Sequence, residues 1–336
     1  MKRIPGLAEY VKRPVYRQAL GLPERVTETY SFLAQGEYNA NYVFTHPFTG
    51  QKLMLRVNCG SQMHLPDQIG YEYRALRMLA STGRTPEALY MDGSRKYLDY
   101  GVLVMKFLPG HPLDYRTETL LAAEILADIH SAEEPPEDTA FLLHPAAPFQ
   151  AILKECREMA AHYFVSPLAD AEKCRKIEYL LQRGESMAAE IAAPVSRCIN
   201  TELNSTNFLI NGAEGPNYLV DWEKPILGDP AQDLGHFLAP TTTFWKSNVI
   251  FDGDTERAFL RRYLAAVDGR YDTAGLRERV GAFIPITCLR GIAWCAMAWV
   301  EYRKPGRTLR NESTARKLDQ YLDTAFLENI RRRYFD

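Results

Sequence analysis

The chain has 336 residues, 46% hydrophobic and 24% charged, a composition typical of globular proteins that bury sizeable cores. A formal net charge of −2 gives no sign of the basic surface that binds nucleic acid or an anionic membrane, so we expect neither partner. The longest hydrophobic stretch, around residues 282–300, contains Arg290 and is better interpreted as a buried helix than as a membrane span.

The first part of the chain predicts short helices followed by a β-hairpin. Residues 1–30 carry mixed charges and prolines, which favours one or two short helices. Residues 30–44 contain two β-prone runs around a turn with Gly36, Asn39 and Asn41. A turn of this composition lets backbone N–H groups approach phosphate oxygens, but an ordinary hairpin has the same pattern. Both interpretations stay open at this point.

A third strand and a helix follow the hairpin. Over residues 52–58, alternation places three apolar side chains on one face and Arg56 on the other. An arginine fork suits phosphate oxygens, although a solvated strand charge is the plain alternative. Apolar residues at three- and four-residue spacing then predict a helix over residues 68–81. Glu72 lies in its first turn, where a carboxylate also interacts favourably with the helix dipole.

Two more strands precede a change to helical composition. Residues 88–90 and 102–108 are β-prone, and Pro109-Gly110 ends the second run. Amphipathic helices are predicted after this point, over residues 118–131, 149–165 and 169–192.

The most informative stretch is residues 198–223, where a polar loop lies between apolar runs. The loop carries Glu202 and, five residues later, Asn207, and a second apolar run ends at Asp221. This pattern predicts strand, loop, strand, turn and strand, with the polar side chains at one end. Such carboxylates and an amide oxygen could position a hydroxyl group and hold Mg²⁺ on a nucleotide, because hard cations prefer oxygen ligands.

The remaining residues are predicted to be mainly helical. Asp229 is a natural cap for the helix that begins after it. Residues 303–310 form a predicted polar turn, and residues 312–334 one long or two short helices.

Helical residues 290–302 carry a group of aromatic and acidic side chains. Trp294, Trp299 and Glu301 could line a pocket for an amine through cation–π and charge contacts. Aromatic residues in helices more often belong to the core, so this pocket is the less favoured alternative.

In their order and spacing, these motifs resemble the aminoglycoside phosphotransferase and choline kinase family, which has a protein-kinase-like fold. That family usually has His-Gly-Asp-Leu, three variable residues and Asn, and later an apolar strand ending in Asp-Trp or Asp-Phe. Asn207 and Asp221 match the two metal-binding positions, and residues 228–234 match the family's Gly-Asp-Pro-x-x-Asp-Leu. The departure is Asn200-Thr201-Glu202 in place of His-Gly-Asp, so that Glu202 stands where the catalytic aspartate is expected.

The resemblance implies a two-lobed α+β fold. Residues 1–108 would form a small, mainly antiparallel nucleotide-binding lobe with one main helix. Residues 109–336 would form a larger helical lobe with the catalytic loop and the acceptor site.

The resemblance also implies an ATP- and Mg²⁺-dependent phosphotransferase whose acceptor is a hydroxyl group of a small molecule, such as an amino alcohol, amino sugar or sugar-like compound. Glu202 would receive or orient the hydroxyl group, Asp233 would brace the catalytic loop, and Asn207 and Asp221 would hold Mg²⁺. The remaining implied contacts are with ATP. The loop of Gly36, Asn39 and Asn41 would cover the nucleotide, and Arg56, held by Glu72, would bind its phosphates. The backbone of Lys106, Phe107 and Leu108 would contact adenine.

The altered catalytic triplet leaves other functions open. A nucleotide-binding or scaffold protein with a degraded active site would explain the loss of both His and Asp, whereas the retained Arg56, Glu72, Asn207 and Asp221 argue against it. Transfer of a nucleotidyl group is a third alternative without positive evidence. The charge balance gives no hint of the acidic site that a polycationic antibiotic requires.

The six cysteines are scattered and form no Cys-x-x-Cys pair, which favours reduced, buried thiols. Together with an N-terminus that lacks a signal-peptide pattern, this predicts a cytoplasmic protein. The sequence does not distinguish a monomer from a homodimer.

Overall fold

The computed structural model describes residues 4–133, 135–187, 192–304 and 312–336. Its helices are α1 Leu7–Tyr10, α2 Pro14–Ala19, α3 Gln68–Met78, α4 Thr119–His130, α5 Pro136–Thr139, α6 Pro148–Phe164, α7 Ala171–Met187, α8 Pro230–Leu238, α9 Pro240–Ser247, α10 Gly253–Val267, α11 Leu276–Arg303, α12 Glu312–Tyr321 and α13 Thr324–Tyr334. Its strands are β1 Ser31–Gln35, β2 Asn39–Thr45, β3 Lys52–Asn58, β4 Ala88–Asp92, β5 Gly101–Lys106, β6 His111–Pro112, β7 Arg197–Ile199, β8 Phe208–Ile210, β9 Tyr218–Leu219 and β10 Ile226–Gly228. Most of the predicted turn at 303–310 and the end of the predicted helix 169–192 lie outside the described residues.

The chain divides into two compact units. Unit 1 comprises Met1–Pro112, Ala132–Leu142 and Asn207–Pro225, and unit 2 comprises Leu113–Ser131, Leu143–Thr206 and Ile226–Asp336. The division predicted after residue 108 is linear, whereas unit 1 also takes in two segments from later in the chain. One of these segments carries Asn207 and Asp221.

Unit 1 is built on a five-stranded antiparallel sheet in the order β1-β2-β3-β5-β4. The predicted alternation in β3 is present: Leu53, Leu55 and Val57 are fully buried in one hydrophobic cluster. Arg56, on the other face, lies opposite Asn41 of β2 in the strand register. A smaller sheet, β6-β8-β9, belongs to the same unit.

Unit 2 contains most of the helices and the β7–β10 ribbon. Its longest helix, α11, is long and apolar enough to cross a membrane by length and composition alone, but 67% of that window is buried inside the fold. It packs against α6 and α8, as a core helix does. The strand β10 has no counterpart in the sequence prediction.

The six cysteines are free thiols, and four of them are buried. Cys59 is exposed and Cys174 is partly exposed, so the expectation of buried thiols is correct for four of the six cysteines.

A buried ion pair fixes the N-terminal segment of unit 1. Arg17 is 2% exposed, and its Nη1 donates to Glu28 Oε1 at 2.9 Å while its Nη2 donates to Glu28 Oε2 at 3.1 Å. Burial by itself raises the pKa of Glu28, but hydrogen bonds from Arg17 and Tyr30 outweigh it and lower the pKa to about 2. The ionised form of Glu28 is therefore the one that the fold stabilises.

This pair predicts an acid-dependent loss of stability. Glu28 has a pKa near 4.3 in the unfolded chain, so its contribution is fully present above that pH and is lost as the pH falls towards 2. At neutral pH, Glu28→Gln is expected to lower the free energy of unfolding by about 1.5–3 kcal/mol, the contribution of a hydrogen bond to a charged group. Urea unfolding from pH 7 to pH 2 should show the wild type and the variant converging. A difference that does not change with pH would contradict the assignment.

Candidate active site

In unit 1, Arg56 and Glu72 form the predicted ion pair between β3 and α3. Arg56 Nη1 lies 2.5 Å from Glu72 Oε1, and both side chains are buried. Burial raises the pKa of Glu72, Arg56 opposes this effect, and the nearby Asp221 carboxylate adds to it. The second oxygen, Glu72 Oε2, is buried without a hydrogen-bond partner. The cation is therefore held rigidly, at the cost of one unsatisfied carboxylate oxygen.

The hairpin asparagines hold other side chains of the site. Asn41 Oδ1 accepts from Arg56 Nε at 3.2 Å, which fixes the second edge of the guanidinium group. Asn39 Nδ2 donates to Glu223 Oε2, and Asn39 Oδ1 accepts from Asn58 at 2.9 Å. These two side chains therefore position Arg56 and Glu223, and the covering of a nucleotide by their loop stays a prediction. Gly36 donates its N–H to the carbonyl of Asn39 at 2.9 Å.

The two predicted metal ligands are brought together by the backbone of unit 1. The N–H of Val220 donates to the carbonyl oxygen of Asn207 at 2.8 Å, which ties the chain before Asp221 to Asn207. Asp221 has φ 67, a left-handed conformation that aspartate tolerates better than most residues. Its Oδ1 lies 3.4 Å from Arg56 Nη1, and its side chain is 32% exposed.

Glu223 is a further carboxylate that the sequence analysis did not place in the metal site. One of its oxygens lies within 4.8 Å of a carboxylate oxygen of Asp221. Its backbone carbonyl accepts from Gln68 Nε2 at 2.6 Å. Burial and the neighbouring Asp221 raise the pKa of Glu223 to about 7. Its position two residues after Asp221 was the sequence signal that could have found it.

The donor set of this cluster fits a divalent cation. Glu72, Asp221 and Glu223 bring three carboxylates to one guanidinium group, that of Arg56. Positive charge is therefore in deficit, and the carboxylates of Asp221 and Glu223 lie close enough together to share one ion. Mg²⁺ binds through one or two carboxylates together with phosphate oxygens. Asn207 and Asp221 would hold it here.

Two of the backbone N–H groups that were predicted to contact adenine are already used in hydrogen bonds to neighbouring segments. The N–H of Lys106 donates to the Glu87 carbonyl at 2.9 Å, and that of Phe107 donates to the Lys52 carbonyl at 3.1 Å. These two amides are therefore not free to bind a base, which corrects the prediction for them. The N–H of Leu108 and the carbonyl groups of this segment are the groups that could still do so.

In unit 2, the loop with Asn200, Thr201 and Glu202 is held by α8. Asp233 Oδ2 accepts from the Asn200 N–H and Asp233 Oδ1 from the Thr201 N–H, both at 2.8 Å. His236 Nδ1 accepts from the Leu203 N–H at 3.2 Å. Asp233 thus braces the loop as expected, whereas the part played by His236 was missed. Glu202 is partly exposed, and its own N–H donates to Asn200 Oδ1 at 3.0 Å.

His130, at the end of α4, supports the same brace. It is fully buried, with Nε2 3.2 Å from Asp233 Oδ2 and Nδ1 2.8 Å from the hydroxyl of Tyr263. The two contacts fix the Asp233 carboxylate that holds the loop. His130 is therefore part of the structural support of this loop.

Thr201 has φ 70, where a β-branched residue is strained. The left-handed conformation costs roughly 1–2 kcal/mol for a residue with a side chain, and glycine avoids this cost. Glycine also makes the unfolded chain more flexible, which opposes the gain in stability by about 0.5–1 kcal/mol. Thr201→Gly is therefore expected to raise the free energy of unfolding by up to about 1 kcal/mol, measured by urea denaturation. Thr201→Ala, which keeps a Cβ, should gain less. A Thr201→Gly variant less stable than Thr201→Ala would contradict the strain.

The amine pocket considered for α11 is not formed by the residues that suggested it. The guanidinium carbon of Arg303 lies 3.6 Å from the centre of the Trp299 ring, and Tyr163 forms a T-shaped contact with the same indole. Glu301 pairs with Lys304 at 2.5 Å. Trp299 and Glu301 already have cationic partners within the chain, and Trp294 is the member of the group that remains exposed.

Comparison with known proteins decides the family. A model of the phosphotransferase enzyme family matches residues 29–281. The chain belongs to this family. The comparison with curated proteins found no match to this chain.

Solved structures confirm the fold of this chain. A putative aminoglycoside phosphotransferase from Ralstonia eutropha JMP134 has 14% identity and a TM-score of 0.70, covering 97% of this chain and 98% of that one. A spectinomycin phosphotransferase in complex with ADP and spectinomycin has 13% identity and a TM-score of 0.63, covering 94% of each chain. A choline kinase from Cryptosporidium parvum Iowa II gives the same three values. At such identities the likeness shows the fold alone, a mixed α+β fold with an antiparallel N-terminal sheet and a helical C-terminal region.

Proposed function

We propose that the protein transfers the γ-phosphoryl group of Mg-ATP to a hydroxyl group of a small molecule. The observation that carries the proposal is the cluster in unit 1 of Arg56, Glu72 and Asp221, with Asn207 fastened to the segment that carries Asp221. A buried cation beside a carboxylate and an amide, in a phosphotransferase fold, is suited to polyphosphate and its metal.

Each residue of this cluster has a separate part in binding. Arg56 presents fixed charge to phosphate oxygens, because Glu72 holds Nη1 and Asn41 holds Nε. Asn207 and Asp221 supply hard oxygen ligands. Bound Mg²⁺ would neutralise charge on the transferring phosphates. Phosphoryl transfer depends mainly on such positioning and charge neutralisation.

Glu202 is the proposed partner of the acceptor hydroxyl group. Glutamate has the same acid–base chemistry as aspartate but carries one more methylene, about 1.5 Å of extra reach. The loop that carries it is fixed by Asp233 and His236 through three backbone N–H groups. A carboxylate on a fixed loop can hold a hydroxyl group in one orientation and accept its proton.

The test is a phosphotransfer assay with a panel of hydroxylated small molecules and labelled ATP. Glu202→Gln is expected to lower the rate of transfer by about 10²–10⁴-fold, the usual worth of general base catalysis, without changing ATP binding. Glu202→Asp should lower it by on the order of 10²-fold, because the carboxylate no longer reaches the same point. Glu214→Gln, at an exposed carboxylate of unit 1, is the control.

Two results would overturn this proposal. If Glu202→Gln transfers phosphate as fast as the wild type, Glu202 does not act on the acceptor. If ATP binds but no member of the panel is phosphorylated, the protein is better described as a nucleotide-binding member of the family without catalysis.

A further inference from the structure

Arg290 of α11 has one edge of its guanidinium group bound and the other open. Nε donates to Glu155 Oε2 at 2.8 Å and Nη2 to Glu155 Oε1 at 3.1 Å. The side chain is 35% exposed, and among the described residues Nη1 has no hydrogen-bond acceptor. The open edge of such a fork can hold a second carboxylate, because charge-assisted bonds from arginine are strong and directional.

Arg290 lies on α11, which packs against the helix that holds the Glu202 loop. The helix α8, whose Asp233 and His236 hold this loop, packs closely on α11, since a Cβ at Gly235 would meet Phe283 Cβ at 2.5 Å. Arg290 follows Phe283 by seven residues, about two helical turns. Burial lowers the pKa of Arg290, but Glu155 and, more weakly, Glu202 outweigh it and raise the pKa.

An exposed aromatic side chain stands one turn beyond Arg290. Trp294 is 42% exposed and forms a T-shaped contact with Trp245, with ring centres 5.4 Å apart. A single exposed aromatic residue is ordinary on a protein surface. Here it accompanies an open arginine at i+4 spacing, so that an exposed indole and a cation lie on one side of α11.

We propose that the acceptor is a hydroxy acid whose carboxylate binds the open edge of Arg290 and whose carbon body packs on Trp294, with its hydroxyl group directed to Glu202. This inference rests on the proposed function and names its substrate class. It replaces the amine acceptor, because Trp299 and Glu301 are already paired with Arg303 and Lys304.

The proposed reaction is a balanced phosphoryl transfer. The acceptor oxygen forms a new bond to the γ-phosphorus while the bond from that phosphorus to the β,γ-bridging oxygen breaks. ADP leaves with the electron pair of that bond, and the hydroxyl proton passes to Glu202. The products are a phosphorylated hydroxy acid and ADP, and no oxidant or reductant is needed.

The test compares ligands that share a carbon body and differ in charge. Calorimetric titration with Mg²⁺ and a non-hydrolysable ATP analogue would use D-gluconate, D-sorbitol and D-glucamine, and separately 3-phenyllactate, 3-phenylpropane-1,2-diol and phenylalaninol. The acid of at least one series is expected to bind about 10- to 100-fold more tightly than its neutral partner. Arg290→Met should abolish this preference.

Two further variants make the test specific. Arg157→Met removes an arginine with the same 35% exposure, but one whose two edges are both paired, with Glu178 and Glu185, so the preference for the acid should persist. Glu155→Gln retains Arg290 and should also keep the preference. Glu155→Gln and Arg290→Met both break the same ion pair, but only Arg290→Met removes the cation. A preference that Glu155→Gln keeps and Arg290→Met loses therefore comes from the cation and not from the stability that the pair provides.

The outcomes separate this inference from the proposed function. Tighter binding of the amine, equal binding of acid and neutral partner, no binding of any acid, or a preference that survives Arg290→Met would each overturn the hydroxy-acid acceptor. Phosphorylation of an amino alcohol in place of an acid would leave the kinase proposal standing. Absence of ATP binding, with the acid preference intact in titrations without nucleotide, would overturn the kinase and retain the anion site.

Discussion

Asp221→Asn is expected to remove the magnesium-dependent part of ATP binding and to lower phosphotransfer by on the order of 10²–10⁴-fold, equivalent to several kcal/mol of metal-assisted charge stabilisation. Asparagine is the appropriate substitution because it tolerates the left-handed conformation at φ 67, where alanine would add strain. It also keeps the shape of the side chain while removing its charge.

The measurement is a thermal-shift titration with ATP, with and without Mg²⁺. Mg²⁺ should increase the stabilisation of the wild type by ATP and have little effect on Asp221→Asn. Without ligand, the free energy of unfolding of the variant should lie within about 1 kcal/mol of the wild-type value, because the lost contact with Arg56 is offset by weaker repulsion from Glu223. Asp99→Asn, at an exposed carboxylate of unit 1, is the control.

Two results would count against the metal site. An Asp221→Asn variant that still responds to Mg²⁺ would show that Asp221 is not a required ligand. A wild-type shift with ATP that ignores Mg²⁺ would indicate nucleotide binding without the metal chemistry of a kinase.

Arg56→Met is expected to destabilise the protein by about 3–5 kcal/mol, because it leaves the Glu72 charge buried without its partner. Glu72 Oε2 already lacks a hydrogen bond, so the remaining carboxylate has little compensation. ATP binding should be lost as well, since Arg56 is the buried cation of the site. Urea denaturation and calorimetric ATP titration measure the two effects separately.

A double variant distinguishes stability from binding. Arg56→Met with Glu72→Met removes both charges and should recover most of the stability, since well-packed apolar side chains can replace a buried ion pair. It should not recover ATP binding. As a control, Arg262→Met breaks an exposed pair with Glu124 and should cost about 0–1 kcal/mol. A double variant as unstable as Arg56→Met would refute the ion-pair explanation.

Local sequence patterns were enough to predict most of the strands and helices and the main polar groups of the site. Alternation of apolar residues is a local property, so it correctly placed Leu55 and Arg56 on opposite faces of β3. The spacing from Glu202 to Asn207 and the apolar run ending at Asp221 likewise predicted β8 and β9 and the polar groups near them. The family and fold expected from these motifs are confirmed.

The tertiary structure decided which side chains meet. Asn39 contacts Glu223, 184 residues away, and no local periodicity encodes such a pairing. Packing of distant segments also placed the brace on the catalytic loop, where His236 joins Asp233. Local pattern thus fixed the positions of the residues along each element, and contacts between remote elements fixed their chemistry.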